Sequence, residues 1–325
     1  MKKHTMRKRV IAAGLAAIMT LGPVSAYAAT YDTQLEQKNL EMTDTIRLTK
    51  EGGYGTEIEE FNVNVEPVYW TAEKGEFIEV AIGIASGEMT CPVTIEVLVN
   101  GTAVELYKKN GEALGKSASR SVVDYAVKAL DNNENSDEEK QLIKDMLVYG
   151  SYAQLNFKVN TDNLAYTAAG LGDLLPSVEE VTANTVAAYE NKQTNPEMGV
   201  TPSSVTAFVD SDIYLRVYLN VAEDIDINEC TVSLAVDNSD VDYSSFAIEN
   251  DGERYYVDIT GIASALIDSQ CTITVTGAKG TNEITTSMLS YVRSVLNNNK
   301  NSEAKQDLVK AMYLYNQSAN VYFNR

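Results

Sequence analysis

Alternating apolar and polar positions predict β-strands in two separate parts of the chain. In the first part, Val93–Val99 and 102–107 flank Asn100-Gly101, a dipeptide that favours the tight turn of a β-hairpin. The second part contains further runs with the same two-residue period, at Ile213–Val221, Tyr255–Ile259 and 271–275. Each part therefore predicts an antiparallel sheet.

Each group of strands is followed by two stretches in which apolar residues recur every three or four positions. After the first group these stretches cover 122–130 and 142–157, which predicts two helices. The polar segment between them, 131–139, places Ser136 as an N-cap, with acidic residues in the following turn where the helix dipole favours them. Gly150 interrupts the second helix, and its interior position predicts close packing against a neighbour.

The helical stretches are duplicated. When residues 121–157 are laid over 287–323 at a constant offset of 166, thirteen of 37 positions are identical without a gap. The identical pairs are Ser121/Ser287, Tyr125/Tyr291, Leu130/Leu296, Asn132/Asn298, Asn133/Asn299, Asn135/Asn301, Ser136/Ser302, Leu142/Leu308, Lys144/Lys310, Met146/Met312, Tyr149/Tyr315, Ala153/Ala319 and Phe157/Phe323. Self-similarity of this extent indicates two copies of one structural unit.

The repeat divides the chain into two modules, 31–157 and 198–325, joined by a connector at 158–197. Within the connector, 178–189 shows a weak helical pattern. Ahead of the helices the correspondence is weaker: Gly-Ile-Ala-Ser at 83–86 matches 261–264 at an offset of 178, and the strand patterns before these segments align at 177. Cys91 and Cys271 each open a similar strand, at an offset of 180. The predicted class is α+β, with two tandem modules, each a small antiparallel β-sandwich-like sheet followed by a helical hairpin.

The N-terminus predicts export. A basic segment precedes a short apolar run from Val10 to Val24, and Ala26 and Ala28 complete a cleavage site, so residues 1–28 are interpreted as a secretory signal peptide. The apolar run is too short to span a bilayer, so no transmembrane anchor is expected. We therefore expect an extracellular protein whose association with the cell surface, in the absence of a sortase-type motif, is non-covalent.

The charge of the chain argues against a nucleic-acid partner. The full sequence has 26 Lys+Arg and 46 Asp+Glu, for a formal net charge of -20. Five of the bases lie in the predicted signal peptide, so the exported chain has 21 − 46 = -25. Contacts with the phosphates of a nucleic acid depend on clustered lysine and arginine residues. So large an excess of acidic residues therefore argues against nucleic-acid binding.

The composition also argues against most catalytic chemistry. The single histidine, His4, lies within the predicted signal peptide, so the exported chain has none for triads, metal sites or proton transfer. The sequence contains no glycine-rich phosphate loop, no metal-spaced cluster and no nucleophile elbow. We therefore predict that the protein is not an enzyme and expect no catalytic residues, no metal and no cofactor.

The helical repeats resemble modules that recur in exported and surface proteins of gut Firmicutes. The resemblance lies in Leu142-Ile-Lys-Asp-Met-Leu-Val-Tyr-Gly-Ser-Tyr-Ala-Gln154 followed by Asn160-Thr-Asp-Asn-Leu-Ala165, and in Leu308-Val-Lys-Ala-Met-Tyr-Leu-Tyr-Asn-Gln317 of the second copy. It covers both helical regions and, more weakly, the strands before them. It implies a location outside the cell and the modular architecture, and it assigns no site residue.

Tyr69 and Trp70 are the candidate ligand contacts. Flat aromatic faces cover the apolar C–H surface of sugar rings, so an exposed pair of this kind favours a glycan ligand. Trp70 is the single tryptophan of the chain, and large aromatic residues are buried on average, so a core position is the competing interpretation.

The loop 131–139 has two interpretations, a calcium site and a capped turn. It alternates acidic and amide residues like a calcium loop, but Ser136 and Leu142 occupy the places that require glycine and a bidentate glutamate, so a capped turn is favoured.

The cysteines also allow two interpretations. Cys230 and Cys271 lie in apolar, β-branched runs, where either a disulfide between them or two buried thiols fits. With Cys91 the count is odd, so at least one thiol stays free.

The combined pattern predicts a secreted, non-catalytic protein of two modules that acts in adhesion or binding at the bacterial surface. Its expected partner is a surface polysaccharide, a cell-wall component or another extracellular protein, and not a nucleic acid. The first alternative is an extracellular glycan-binding protein that uses exposed aromatic residues. The second is a polysaccharide hydrolase that uses a pair of carboxylates, chemistry that does not require histidine.

Overall fold

The structure is a computed structural model that describes residues 45–62, 84–107, 113–209, 213–237, 247–260 and 262–324. The predicted signal peptide and the candidate contacts Tyr69 and Trp70 lie outside these residues. Within them, several antiparallel sheets and five α-helices make a mixed structure, which confirms the predicted α+β class.

Fifteen strands are found in the described part of the chain. In chain order they are β1 (Thr45–Lys50), β2 (Glu57–Asn62), β3 (Val93–Val99), β4 (Thr102–Ala103), β5 (Leu106–Tyr107), β6 (Ala113–Gly115), β7 (Ala118–Arg120), β8 (Lys192–Gln193), β9 (Val200–Val209), β10 (Ile213–Val221), β11 (Thr231–Val236), β12 (Glu249–Asn250), β13 (Tyr255–Ile259), β14 (Cys271–Gly277) and β15 (Gly280–Thr286). The alternation of apolar and polar residues is clearest in longer strands such as β3, β11 and β14. The strands predicted at β3, β10 and β13 are confirmed with these bounds.

The helices begin at capping serines. They are α1 (Val122–Asp131), α2 (Asp137–Phe157), α3 (Ala165–Ala168), α4 (Met288–Asn297) and α5 (Glu303–Phe323). Before each of the four longer helices, a serine hydroxyl accepts a hydrogen bond from a backbone N–H of the first turn; these caps are Ser121, Ser136, Ser287 and Ser302. The predicted cap at Ser136 is confirmed. None of the described helices is long and apolar enough to cross a membrane.

The first sheet has the strand order β2-β1-β3-β4, and β7 also pairs with β3. Every pairing is antiparallel. In the turn between β3 and β4, Asn100 and Gly101 adopt φ angles of 49° and 74°. This left-handed conformation is the one that Asn-Gly favours, and the predicted tight turn between antiparallel strands is confirmed. The strand predicted at 102–107 is instead divided into β4, which pairs with β3, and β5, which pairs with β6.

A buried ion pair fixes the loop between β1 and β2. Lys50 Nζ lies 2.5 Å from Glu88 Oε1, and the backbone N–H of Tyr54 donates to the same oxygen at 2.8 Å. Both charged side chains are buried, so each compensates the desolvation of the other. Gly53 has a φ of 64°, and a Cβ at this position would collide with the Glu88 side chain, so the loop requires glycine there.

Two further four-stranded sheets follow, with the orders β12-β13-β10-β9 and β11-β14-β15-β8. Along β10, Leu215 and Val217 are buried, whereas Arg216 between them points to the opposite face. Ile273 of β14 and Ile284 of β15 belong to the same apolar cluster as these leucine and valine residues. The inner faces of both sheets therefore contribute to one core.

Helices α2 and α5 pack against each other. The ring of Tyr149 stacks on that of Tyr315, with centroids 5.9 Å apart and planes 7° from parallel. Asp145, one turn before Tyr149, accepts a hydrogen bond from Ser318, which lies about one turn after Tyr315. The two helices therefore run antiparallel, and the stacked tyrosines are identical residues at the 166-residue sequence offset.

Close packing explains the glycine inside α2. A Cβ at Gly150 would lie 2.5 Å from Met89 Sδ and 3.2 Å from the carbonyl oxygen of Ser86. The close packing predicted at Gly150 is therefore confirmed. The equivalent residue of α5, Asn316, instead donates a hydrogen bond to Asp268 Oδ1 at 2.7 Å.

The weak helical pattern at 178–189 does not correspond to a helix in the structure, where this segment forms turns. Val178 and Val186 are buried, but the chain between them is held by local hydrogen bonds, including one from the Thr182 N–H to the hydroxyl of Thr185. Such side-chain bonds satisfy backbone groups in place of helical ones. The segment then continues into β8, which pairs with β15.

Candidate functional site

The outer face of the sheet β12-β13-β10-β9 carries a group of aromatic and charged side chains. On adjacent strands, Arg216 lies opposite Asp258 and Tyr218 lies opposite Tyr256. Because residues two apart on a strand share a face, this register places all four on the side away from the core. Arg254, at the start of β13, joins them. These five residues are called the arginine–tyrosine ladder below.

The members of the ladder contact one another closely. Arg216 donates two hydrogen bonds to Asp258, both 2.8 Å long, from Nε to Oδ1 and from Nη2 to Oδ2. The guanidinium carbon of Arg216 lies 3.7 Å from the ring centroid of Tyr256, and that of Arg254 lies 3.6 Å from the ring centroid of Tyr218. The two tyrosine rings meet edge to face at 6.1 Å. Two cation–π stacks and a bidentate ion pair therefore fix the positions of these groups.

The turn before β13 holds Arg254 in place. The carboxylate of Asp251 accepts hydrogen bonds from the backbone N–H groups of Arg254, at 2.8 Å, and Glu253, at 3.1 Å. These bonds lower the pKa of Asp251, because they stabilise its ionised form. The turn is thus closed by a charged acceptor, and the backbone that carries Arg254 is fixed.

Hydrogen bonds also set the charges of the ladder. Tyr256 donates its hydroxyl to Glu249 Oε2 at 2.6 Å, which raises the pKa of Tyr256. The hydrogen bonds to Asp258 raise the pKa of Arg216 above its usual value. Both shifts favour the state already populated at neutral pH, a neutral tyrosine and a charged arginine, so the charge pattern of the surface is constant there.

The groups that a ligand meets at the ladder are polar. Tyr218 and Tyr256 are only 9% and 8% exposed, because the arginines cover them. The side chains of Arg254 and Asp258 are 51% and 25% exposed. The surface therefore offers guanidinium donors and carboxylate acceptors side by side on adjacent strands, an arrangement suited to recognition by hydrogen bonds.

A polar cavity of about 360 Å³ lies between α2, the segment after α3 and the start of α5. It is lined by Tyr152, Ser177, Val178, Glu179, Asn301, Glu303, Gln306, Asp307 and Lys310. Lys310 pairs with Asp307 at 2.8 Å. Burial raises the pKa of Tyr152, and the negative charges of Asp307 and Glu179 raise it further. The cavity is therefore polar and negative.

The structure excludes a bridge between Cys230 and Cys271. Both are free thiols, as is Cys91. In the antiparallel pair β11–β14, Cys271 lies opposite Val236, whereas Cys230 precedes the other end of β11. Six residues of strand separate the two positions, about 20 Å at the usual rise per residue, and a disulfide needs Cα atoms within about 7 Å.

The polar loop at 131–139 is a capped turn. The side-chain amide of Asn135 donates to the carbonyl oxygen of Ala129 at 2.9 Å, and the side-chain oxygen of Asn132 accepts from the N–H of Glu134 at 3.0 Å. Two amide side chains of the suspected calcium loop are thus used by the backbone. Within the described residues, no group of three histidine, cysteine or acidic side chains is placed to hold a metal ion.

Sequence reasoning missed the ladder. The alternation in β10 puts Tyr214, Arg216 and Tyr218 on one face, and this signal was available. What the sequence lacked was the register that sets Arg216 against Asp258 and Tyr218 against Tyr256. The site residues that it did name, Tyr69 and Trp70, lie outside the part of the chain that the structure describes.

Comparison with known proteins assigns no relative. No family model matches the chain, and no curated protein and no solved structure matches it either. The chemistry of the described surfaces, above all of the ladder, therefore carries the functional assignment.

Proposed function

We propose that this chain is a secreted, non-catalytic protein that acts in adhesion or binding at the bacterial surface. The observation that carries the proposal is the arginine–tyrosine ladder, in which stacking and ion pairing order the side chains before any ligand arrives. Such preorganisation reduces the entropy lost on binding. Export rests on the signal-peptide pattern at 1–28, and the partner would be a surface polysaccharide, a cell-wall component or another extracellular protein.

We also infer that the protein consists of two tandem modules, each a sheet region followed by a helical hairpin. Paired contacts at the 166-residue offset support this inference. Asn135 Nδ2 donates to the Ala129 carbonyl oxygen at 2.9 Å, and Asn301 Nδ2 donates to that of Val295 at 3.1 Å. The same offset relates the N-cap bonds of Ser136 and Ser302.

Contacts ahead of the helices support extending the repeated unit into the strands. The segments Ser86–Glu88 and Ser264–Leu266, related by the offset of 178, are both short 3₁₀ helices, and they contact α2 and α5 respectively. Strands β3 and β14 begin at Val93 and Cys271, which are again 178 residues apart. On this alignment Cys271 corresponds to Val93 and not to Cys91.

A depletion assay tests the proposed function. Purified protein without the predicted signal peptide is mixed with insoluble polysaccharides, mucin or cell walls of the producing organism, and the unbound fraction is measured. We expect selective loss onto at least one of these materials. The Arg254→Ala variant, which removes an exposed member of the ladder, should be retained less than the Arg120→Ala control, which removes an exposed arginine from β7.

Two results would contradict the proposal at different points. Complete recovery of the protein from every material would argue against surface binding. Equal retention of the Arg254→Ala variant and the wild type would leave surface binding in place but exclude the ladder as the contact.

A further inference from the structure

We propose that the arginine–tyrosine ladder binds a neutral polysaccharide chain, an inference that rests on the surface-binding function proposed above. The first argument is hydrogen-bond complementarity. Arg254 presents a planar fork of N–H donors, and Asp258 presents carboxylate acceptors on the same face. Each sugar hydroxyl both donates and accepts, so a neighbouring pair of hydroxyls can satisfy both kinds of group at once.

The second argument is charge. Two cations of the face, Arg216 and Arg254, are accompanied by three carboxylates, Asp251, Asp258 and Glu249. The local sum is 2 − 3 = -1, and the whole chain has a formal net charge of -20. A polyanion such as a uronate polymer would meet repulsion both locally and from the protein as a whole. An uncharged ligand avoids this repulsion.

The third argument is shape. The ladder lies on the face of the sheet that points away from the core, and the register of β9 with β10 extends this face. Ser204 and Thr206 of β9 lie opposite Tyr218 and Arg216, which places two hydroxyl side chains beside the ladder. A polar strip that crosses three strands, β9, β10 and β13, can contact successive units of an extended chain, whereas a small ligand would be held on one side only.

Affinity electrophoresis tests this inference. The protein is run in native gels that contain soluble mannan, xylan, laminarin, dextran or polygalacturonate, and the retardation gives an apparent Kd. We expect at least one neutral polymer to retard the wild type and polygalacturonate to have no effect. The retardation by the neutral polymer should persist at high salt, because salt screens interactions between charges and this ligand carries none.

Three variants locate the site. Arg254→Ala should weaken binding about tenfold, the loss expected for a hydrogen bond to a charged group. Arg254→Lys should also weaken it, because an ammonium group keeps the charge but lacks the planar fork. Arg120→Ala should bind like the wild type. Thermal unfolding of each variant checks that the fold is intact.

Each contrary result has a distinct meaning. Retardation by polygalacturonate that disappears at high salt would overturn the neutral ligand and leave surface binding standing. Retardation by a neutral polymer that survives in both Arg254 variants would overturn the ladder as its site. If no polysaccharide retards the protein, the inference fails, and retention on cell walls or mucin then decides separately whether the proposed function stands.

Discussion

The carboxyl group of Asp145 makes the stability of the α2–α5 contact depend on pH. Asp145 lies between α2 and α5, where its carboxylate accepts hydrogen bonds from Ser318 and, at 3.0 Å, from Gln141. Burial raises the pKa of Asp145 above its ordinary value of 3.8; the hydrogen bonds and Lys144 lower it, and Glu180 raises it. Burial is the largest of these effects, so the folded protein holds the proton more tightly than the unfolded chain.

The Asp145→Asn variant should be more stable than the wild type at neutral pH. Since the folded pKa is raised, the stability contributed by the protonated carboxyl is present at low pH. It is lost as the pH rises from the unfolded value of 3.8 through the folded pKa. Asparagine does not ionise, so the variant avoids this loss of stability, and its side-chain oxygen can still accept the hydrogen bond from Ser318. Denaturant unfolding of both proteins between acid and neutral pH measures the difference.

Asp251 provides a contrast of opposite sign. Its pKa is lowered by backbone hydrogen bonds, so its stabilising effect is present above the unfolded pKa and is lost as the pH falls through the folded one. Asp251→Asn should therefore reduce stability at neutral pH. If Asp145→Asn also reduces stability at neutral pH, the assignment of burial as the dominant effect on Asp145 is wrong.

At the scale of elements, the asparagines of the two interhelical turns act as caps. Asn135→Ala and Asn301→Ala should each destabilise the protein by about 1 kcal/mol, because each leaves a carbonyl of the preceding helix without its side-chain donor. Asn133 is also identical in both copies of the repeat but is exposed, and no described hydrogen bond engages it. Asn133→Ala is the matched control and should change the free energy of unfolding by less than about 0.5 kcal/mol.

Chemical denaturation of the three variants provides the measurement. Equal destabilisation at 133 and 135 would mean that these asparagines act through the unfolded chain and not through the turn. A large effect at 135 with none at 301 would contradict the equivalence of the two turns.

The elements that the sequence predicts correctly are those specified by residues close together in the chain. Serine caps, Asn-Gly turns and three-to-four-residue periodicity act within a few residues, and Ser136, Asn100 and Gly101 accordingly do what the sequence predicts. The weak helical pattern at 178–189 forms no helix, because hydroxyl side chains in this segment bond the backbone in turns. The ladder depends on the register of Arg216 with Asp258, a pairing across 42 residues that no local pattern specifies.

At the scale of the whole molecule, both parts of the chain contribute to one apolar cluster. Met89 and Met146 belong to it, and so do Ile273 and Met312 from the second part. The cluster passes through the contact of α2 with α5, where Tyr149 is fully buried against its stacking partner. Neither helix can lose this contact without exposing apolar surface of the other.

We therefore expect the two parts of the chain that share this cluster to unfold together. Differential scanning calorimetry should give one transition with equal calorimetric and van't Hoff enthalpies, the criterion for two-state unfolding. Tyr315→Ala should lower the Tm of the entire transition, because it removes a large buried ring from the shared core. Two separate transitions, with only the second shifted by the substitution, would show that the two parts are energetically independent.

The different packing at Gly150 and Asn316 has an evolutionary consequence. Equivalent positions of α2 and α5 reach their neighbours in incompatible ways, Gly150 by leaving room for Met89 and Asn316 by donating to Asp268. A gene conversion could copy one helix over the other without the 3₁₀ segment on which it packs. Copying α5 over α2 would place an asparagine against Met89, and copying α2 over α5 would leave Asp268 without the amide donor of Asn316. Under the duplication proposed above, selection against such hybrids would preserve the difference between positions 150 and 316 and would keep each helix together with the segment that it packs on.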